Sequence, residues 1–183
     1  VAAASPLQAF RDAPYIVASL SGIAALAVLF LQPLLAAGYL PGLTPPLERR
    51  LHRWLGTSLV VAVALHVGGL YLTSPPDALD ALLLVSPTPF SVYGVTAMWA
   101  IVLTALLVIL RRRLPLAPGT WRIVHNALAV VVVVGTVVHA LMIEGTMGAV
   151  SKWTLCLAAL GTTAVAVVHL RVVRPWRRRT ARS

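Results

Sequence analysis

Histidines are the residues of this sequence with the clearest capacity for chemistry. Four of the five histidines form two pairs of equal spacing, because His52 and His66 are fourteen residues apart and so are His125 and His139. Fourteen residues of α-helix turn through about 1400°, about 40° short of four turns, so both members of a pair face roughly the same way, about 21 Å apart. Two such helices can present facing imidazoles at two levels.

Two facing imidazoles are the axial ligand set of a low-spin haem b, whose flat apolar macrocycle fits between the helices of a bundle. Small residues near the histidines would leave room for such a group, namely Gly56, Gly68, Gly69, Ala127, Gly135 and Ala140. A single histidine in a membrane helix is more simply an interhelical hydrogen-bonding group. The matched spacing on two segments favours ligation, and we predict two haem b groups.

The segments that carry these histidines are apolar enough to cross a membrane. The 183 residues are 59% hydrophobic and 11% charged, which is typical of a membrane protein. About 20 apolar residues are needed to cross the hydrocarbon layer as a helix. We predict an all-α bundle of five transmembrane helices, over about residues 15–40, 54–73, 93–110, 123–143 and 153–173. Prolines 33, 41, 45 and 46 are expected to kink and then end the first span, and residues around 75–85 predict a short surface helix.

The basic residues predict which side of the membrane each loop occupies. Thirteen of the fifteen Lys and Arg residues fall on one side if the spans alternate, and Arg11 and Lys152 fall on the other. By the positive-inside rule the basic side is cytoplasmic, so the N-terminus lies outside and the C-terminus inside. We therefore interpret the net charge of +10 as basic residues that set the membrane topology and contact anionic lipid. This interpretation argues against nucleic acid as a partner. Because spans two and four run the same way, His52 is level with His125 and His66 with His139.

Other polar residues are candidates for supporting roles. Haem propionates need cationic or hydrogen-bonding partners at the membrane edge. Each candidate for this role can equally be an ordinary interfacial anchor. On the inner side the candidates are Arg49, Arg53 and Arg122, and on the outer side Lys152, Tyr71 and Thr73. We interpret His169 as structural or as a hydrogen-bonding group near the inner haem, and Glu144 as a candidate for an outer substrate or metal site. The tryptophans at span edges, Trp54, Trp121, Trp153 and Trp176, are typical of an interfacial aromatic belt.

Other classes of function find less support in the sequence. No glycine-rich phosphate loop follows a strand pattern and the single cysteine, Cys156, forms no pair, so flavin or nicotinamide chemistry is expected on another polypeptide. A metal-binding or metal-transport protein that uses its histidines directly is the main alternative, since imidazole suits Zn, Cu and Fe. Ligands about 21 Å apart cannot share one ion. A structural protein with hydrogen-bonding histidines is the third hypothesis.

The segments "ERRLHRWLGTSLVVAVALHVGGLY" and "WRIVHNALAVVVVVGTVVHAL" resemble the ferric reductase-like transmembrane domain. That superfamily includes ferric reductases, NADPH oxidases and the haem-binding membrane subunit of methionine sulfoxide reductase. The resemblance implies a bis-haem conduit that passes electrons from a cytoplasmic flavin donor to an outer acceptor. It implies His52 and His125 as ligands of the inner haem and His66 and His139 as ligands of the outer one.

Two departures from that family shape the expectations. The family usually has six helices with the ligands on the third and fifth, whereas the second and fourth of five carry them here, so the first helix is absent or the bundle is shortened. Because the chain starts with Val, a signal peptide or an additional helix upstream of it is left open as an expectation. Since no flavin domain follows the last span, electrons are expected from a separate flavin (FAD or FMN) reductase or a quinol. The expected acceptor is a ferric chelate, oxygen or a periplasmic protein, and the expected location is a bacterial cytoplasmic membrane.

Overall fold

The computed structural model describes residues 5–174, together with residues 176 and 180, and every regular element among them is helical. Six α-helices follow one another along the chain: α1 Ala13–Ala37, α2 Pro45–Thr73, α3 Pro75–Leu82, α4 Pro89–Ile109, α5 Pro118–Met142 and α6 Ala149–Val168. A π-helical turn, His169–Val173, continues α6. All of these except α3 belong to the five segments that are long and apolar enough to cross a membrane. The predicted all-α bundle of five spans is therefore confirmed.

The helix ends correct one detail of the sequence interpretation. α1 ends at Gly38, whose left-handed backbone (φ 77°) suits glycine and whose N–H donates to the carbonyl of Leu34. Pro33 lies inside α1, whereas Pro45 and Pro46 form the first turn of α2. Proline is favoured in a first turn because its missing N–H has no partner there anyway. These two prolines begin the second helix and do not end the first.

The second span therefore extends further toward its start than its apolar run predicts. It begins at Pro45, about nine residues before the predicted boundary, and the additional turns carry Arg49, Arg53 and His52. Charged residues in these turns lowered the hydropathy that the prediction relied on, although the helix continues through them. The short helix predicted after this span is confirmed as α3.

The five long helices are arranged in a ring. α1 packs along α2 and α6, and α5 packs along α4 and α6, with a lighter contact between α2 and α4 closing the ring. α2 and α5, which carry the paired histidines, are not adjacent in this ring and their backbones hardly meet. Each histidine-bearing helix thus has its own supporting helix, α1 for α2 and α4 for α5.

The apolar core lies between the two histidine levels. Leu59 is midway between His52 and His66, and Val132 is midway between His125 and His139, and both are buried. They belong to one cluster with side chains of all five long helices, including the fully buried Cys156. A layer of aliphatic side chains therefore separates the two levels.

One end of the bundle carries most of the basic residues. The π-helical turn lies there, and its Arg171 donates to the backbone carbonyl of Arg122 at the start of α5. Arg111 lies over the ring of Trp121 at the same end. The structure thus brings basic residues from different loops to one end, which we name the basic end. Arg177, Arg178, Arg179 and Arg182 of the predicted basic cluster lie outside the described residues.

Candidate functional site

The four paired histidines face one another across the ring as two pairs. The rings of His52 and His125 have centroids 6.4 Å apart, and those of His66 and His139 are 6.3 Å apart. We name the first pair, near the basic end, the inner level and the second pair the outer level. The ring planes are inclined by 67° at the inner level and by 82° at the outer level. These are the same pairs that the sequence places level with each other.

Backbone carbonyls of the supporting helices orient both outer histidines. Nδ1 of His66 lies 2.8 Å from the carbonyl oxygen of Ala18 on α1, and Nδ1 of His139 lies 2.8 Å from that of Phe90 on α4. A carbonyl oxygen can only accept a hydrogen bond, so Nδ1 carries the proton in both neutral rings. The lone pair is then on Nε2, which is the arrangement found in most histidines that bind metals.

A glycine beneath each outer ring completes this support. A Cβ atom added at Gly22 would lie 2.9 Å from Nδ1 of His66, and one added at Gly94 would lie 2.7 Å from Nδ1 of His139. Each glycine follows by four residues the residue whose carbonyl accepts the hydrogen bond, so the ring rests on one turn of the supporting helix. Only glycine leaves enough space for the rings in these positions.

The glycines that the sequence singled out have other roles. A Cβ at Gly69 would meet the carbonyl of Pro14 at 2.6 Å, and one at Gly135 would meet that of Tyr93 at 3.0 Å. These two glycines therefore allow close packing of α2 on α1 and of α5 on α4, and the space predicted beside them is filled by backbone. A Cβ added at Gly68 would meet no other described atom within 4 Å outside its own stretch of helix. The glycines that contact the histidines, Gly22 and Gly94, were missed because that contact depends on a second helix.

The inner level is less completely supported by backbone. Nδ1 of His52 is 3.3 Å from the carbonyl oxygen of Gln32, and the Gln32 amide nitrogen is 3.3 Å from the carbonyl oxygen of His52. Nδ1 of His125 is buried and has no hydrogen-bond partner in the described part of the chain. Three of the four buried side-chain polar atoms without a partner among the described residues belong to this region: Gln32 Oε1, His125 Nδ1 and Trp121 Nε1.

An aromatic ring packs against His125. The rings of Trp121 and His125 are stacked, with centroids 5.0 Å apart and planes inclined by 9°. The guanidinium carbon of Arg111 is 4.3 Å from the centroid of the Trp121 ring, which is a cation–π contact. Trp54, Trp153 and Trp176 are each more than half exposed, as expected for an aromatic belt. Trp121 differs from them because it contacts a histidine of the site.

The other candidate residues occupy the ends of the bundle. Arg53 is exposed near the inner level, and the side chain of Arg122 donates to the carbonyl of Pro118 in its own helix. Lys152 donates to the carbonyl of Ile143 at 2.6 Å, at the opposite end. Glu144 is exposed beside that contact. Among the described residues, no three or more His, Cys, Asp or Glu side chains are grouped so that they could hold a metal ion.

His169 lies apart from both pairs. Its ring makes an edge-on contact with Tyr39, at a centroid distance of 5.1 Å, where the π-helical turn meets the end of α1. The contact joins the π-helical turn to the residues that follow α1.

Two further residues near the inner level were missed. Arg171 donates to the carbonyl of Arg122, and Asn126, in the amide orientation that satisfies its neighbours, accepts from Nε of Arg171 at 3.1 Å. Asn126 directly follows His125, so this contact ties the end of α6 to the histidine-bearing turn of α5. The π-helical turn that positions Arg171 has no distinct sequence signal.

The spacing of each pair can be compared with that of two imidazoles sharing one metal ion. If the two nitrogens lie on opposite sides of the metal, with metal–nitrogen distances of about 2.0–2.1 Å and about 1.1 Å from nitrogen to ring centre, the ring centres are about 6.3 Å apart. The observed distances of 6.4 and 6.3 Å agree with this value. Each level thus offers two protein ligands at a suitable separation for one metal centre.

Comparison with known proteins gives one match. Residues 19–136 match the sequence model of a family described as ferric reductase like transmembrane component. The match includes His52, His66 and His125 and ends three residues before His139. Neither the comparison with curated proteins nor that with solved structures gave a significant match.

Proposed function

Because this chain belongs to the ferric reductase-like transmembrane component family, we propose that it is an electron-transfer subunit that binds one haem b at each histidine level. Membrane electron transfer is the general function that the family suggests. The finer proposal is that electrons pass from a donor at the basic end to an acceptor at the opposite end. His52 and His125 are the proposed axial ligands at the inner level, and His66 and His139 those at the outer level.

The observation that carries this proposal is the repeated separation of the imidazole rings. Two pairs, about 21 Å apart along the helices, have centroid distances that differ by only 0.1 Å and match a shared metal centre. Interhelical hydrogen bonding alone does not account for this spacing, because the Nδ1 atoms of three of these rings bond to carbonyls of neighbouring helices and not to the opposite histidine.

The pairs favour haem over direct binding of a metal ion. Zinc in proteins has at least three protein ligands, whereas each pair provides two nitrogens and no larger group of His, Cys, Asp or Glu was found in the described part of the chain. A haem would bring the remaining ligands of its iron with it, so two histidines of the chain would be sufficient to hold it. The donor set therefore fits a haem better than a zinc or copper ion, which remains the alternative.

The chemistry that a bound haem supplies is a one-electron Fe(III)/Fe(II) couple. The chain's own residues bind and orient this group: the carbonyls of Ala18 and Phe90 fix the tautomer of the outer histidines. Leu59 and Val132 keep water from the space between the levels. Arg53 and Arg122 are proposed contacts for haem propionates at the basic end.

The sidedness of the proposal rests on charge. The basic end is taken as cytoplasmic by the positive-inside rule, in a bacterial cytoplasmic membrane. The proposed donor is a separate flavin reductase or a quinol, and the proposed acceptor is a ferric chelate, oxygen or a periplasmic protein. A reporter fused to the C-terminus should be active only as a cytoplasmic reporter, and activity of a periplasmic reporter there would reverse the assignment.

Haem content tests the proposal directly. The full chain, purified in detergent, should show a dithionite-reduced minus oxidised spectrum of haem b and about two haems per chain by pyridine haemochrome assay. Replacing any one of the four paired histidines with Ala should remove about one haem, whereas the control His169→Ala should retain both. A purified chain without haem, or one that keeps both haems after loss of His52 or His125, would overturn the proposal.

A further inference from the structure

Trp121 is placed where it can control the orientation of one histidine of the inner level. It precedes His125 by four residues in α5, so the two side chains lie one above the other on the same face of the helix. Their planes are nearly parallel, at 9°, with a centroid distance of 5.0 Å. The contact with Arg111 fixes the indole in turn.

The three other paired histidines are oriented by a different device. His52, His66 and His139 each direct Nδ1 to a backbone carbonyl of a supporting helix. His125 has no such partner among the described residues, although its Nδ1 is buried. Without a hydrogen bond, an imidazole can rotate about its side-chain bonds unless packing restrains it.

We infer that Trp121 is a positioning residue for His125, and that its stacked indole replaces the Nδ1 hydrogen bond that orients the other three histidines. This inference rests on the proposed function, since it concerns the orientation of a proposed axial ligand. The face and the N–H group of the indole have different roles. Its face restrains the imidazole plane, whereas its buried Nε1–H has no acceptor among the described residues and is not required for the stacking.

The orientation of axial imidazoles can be read from electron paramagnetic resonance, because the signal of a low-spin ferric haem depends on the angle between the two ligand planes. The experiment compares Trp121→Ala and Trp121→Phe in a His139→Ala background, where only the inner level can bind a haem. Phe keeps an aromatic face and lacks the N–H. Trp153→Ala provides a matched control, because Trp153 is an exposed tryptophan at the opposite end.

Trp121→Ala should shift and broaden the inner low-spin signal and increase the rate of haem loss to an excess of apomyoglobin by several-fold. Trp121→Phe should keep the signal close to that of the background, and Trp153→Ala should leave both measurements unchanged. An unchanged signal and rate in Trp121→Ala would overturn the inference. A Phe variant as altered as the Ala variant would also overturn it, since the N–H and not the stacked face would then be responsible.

Failure of this inference is distinguishable from failure of the proposed function. If the unsubstituted chain binds about two haems and Trp121→Ala has no effect, only the role of Trp121 is wrong. If the unsubstituted chain binds none, the proposed function itself is wrong.

Discussion

The outer and inner levels hold similar histidine pairs by different means. At the outer level, both rings direct Nδ1 to a helix carbonyl at 2.8 Å and rest on a glycine of the supporting helix. At the inner level, Nδ1 of His52 has a longer contact of 3.3 Å and Nδ1 of His125 has no hydrogen-bond partner among the described residues, while side chains provide the remaining support. The centroid distances are nevertheless almost equal.

This difference shows that one spacing can be reached with different degrees of preorganisation. Backbone of a packed helix moves little, so the outer rings are held by the most rigid part of the bundle. Gln32, Trp121 and Arg111 can adopt other rotamers, so the inner level can adjust more easily. We expect substitutions that alter backbone packing to affect the outer level most and substitutions of side chains to affect the inner level.

The largest effect should follow from filling the space beneath an outer ring. Gly94→Ala places a methyl group 2.7 Å from two atoms of the His139 ring, so the imidazole must leave its hydrogen bond with Phe90. We expect the variant to lose most of one haem, about half of the total, and Gly22→Ala to lose a similar share through His66. Pyridine haemochrome assay of the purified variants measures this loss.

The control for both variants is Gly68→Ala, because Gly68 is in α2 close to His66 and a Cβ there meets no described atom within 4 Å. It should keep both haems. Equal haem loss in all three variants would contradict the steric explanation and would remove the distinction between the levels.

The second expected effect is a difference in reduction potential. A hydrogen bond from Nδ1–H to a carbonyl makes the imidazole more basic, which stabilises Fe(III) and lowers the potential. Nearby arginines stabilise the less positive Fe(II) state and raise it. Both effects give the inner level the higher potential, because it has the weaker hydrogen bonds and lies at the basic end.

We expect the difference to be on the order of tens of millivolts, where about 59 mV corresponds to a tenfold change for a one-electron couple. Spectroelectrochemical titration of His139→Ala, which retains the inner level, and of His125→Ala, which retains the outer level, measures each potential separately. A higher potential in the His125→Ala variant would reverse the order argued here.

A smaller effect is expected at Gln32, whose side chain supports only the inner level. Gln32→Leu removes the 3.3 Å hydrogen bond from its amide to the carbonyl of His52, but it also removes a buried Oε1 that has no described partner. These two changes oppose each other, so the free energy of unfolding should change by less than about 1 kcal/mol. The signal of the inner haem should shift slightly and that of the outer haem should not. A shift confined to the outer haem would show that the levels are not supported independently.

The sequence was sufficient to predict the features that depend on a single helix. Apolar runs predicted the five spans because lipid requires every backbone polar group to be satisfied within its own helix. The fourteen-residue periodicity predicted which histidines share a face. Gly22 and Gly94 were missed because their importance depends on the partner helix. Their separation of 72 residues, almost the same as the 73 residues between His66 and His139, was a signal that could have found them. The stacking of Trp121 was missed because tryptophans at span edges are usually interfacial.

A comparison between the two ends of the bundle can also be made through the contacts that tie α6 to α5. Lys152 donates to the carbonyl of Ile143 at 2.6 Å and is partly buried, whereas Arg171 donates to the carbonyl of Arg122 at the exposed basic end. A charged hydrogen bond sheltered from water contributes about 1.5–3 kcal/mol, and one exposed to water contributes less. Lys152→Met should therefore lower the thermal midpoint in detergent more than Arg171→Met does.

The control for these two variants is Arg174→Met, because Arg174 is exposed in the same region as Arg171 and is not seen to make a side-chain hydrogen bond or cation–π contact within the described part of the chain. It should not change the midpoint. If Arg171→Met proved the more destabilising of the pair, the basic end would be the more rigid one. The weaker support of the inner level would then have to arise only from His125, whose Nδ1 has no hydrogen-bond partner in the described part of the chain, and not from a looser attachment of α6.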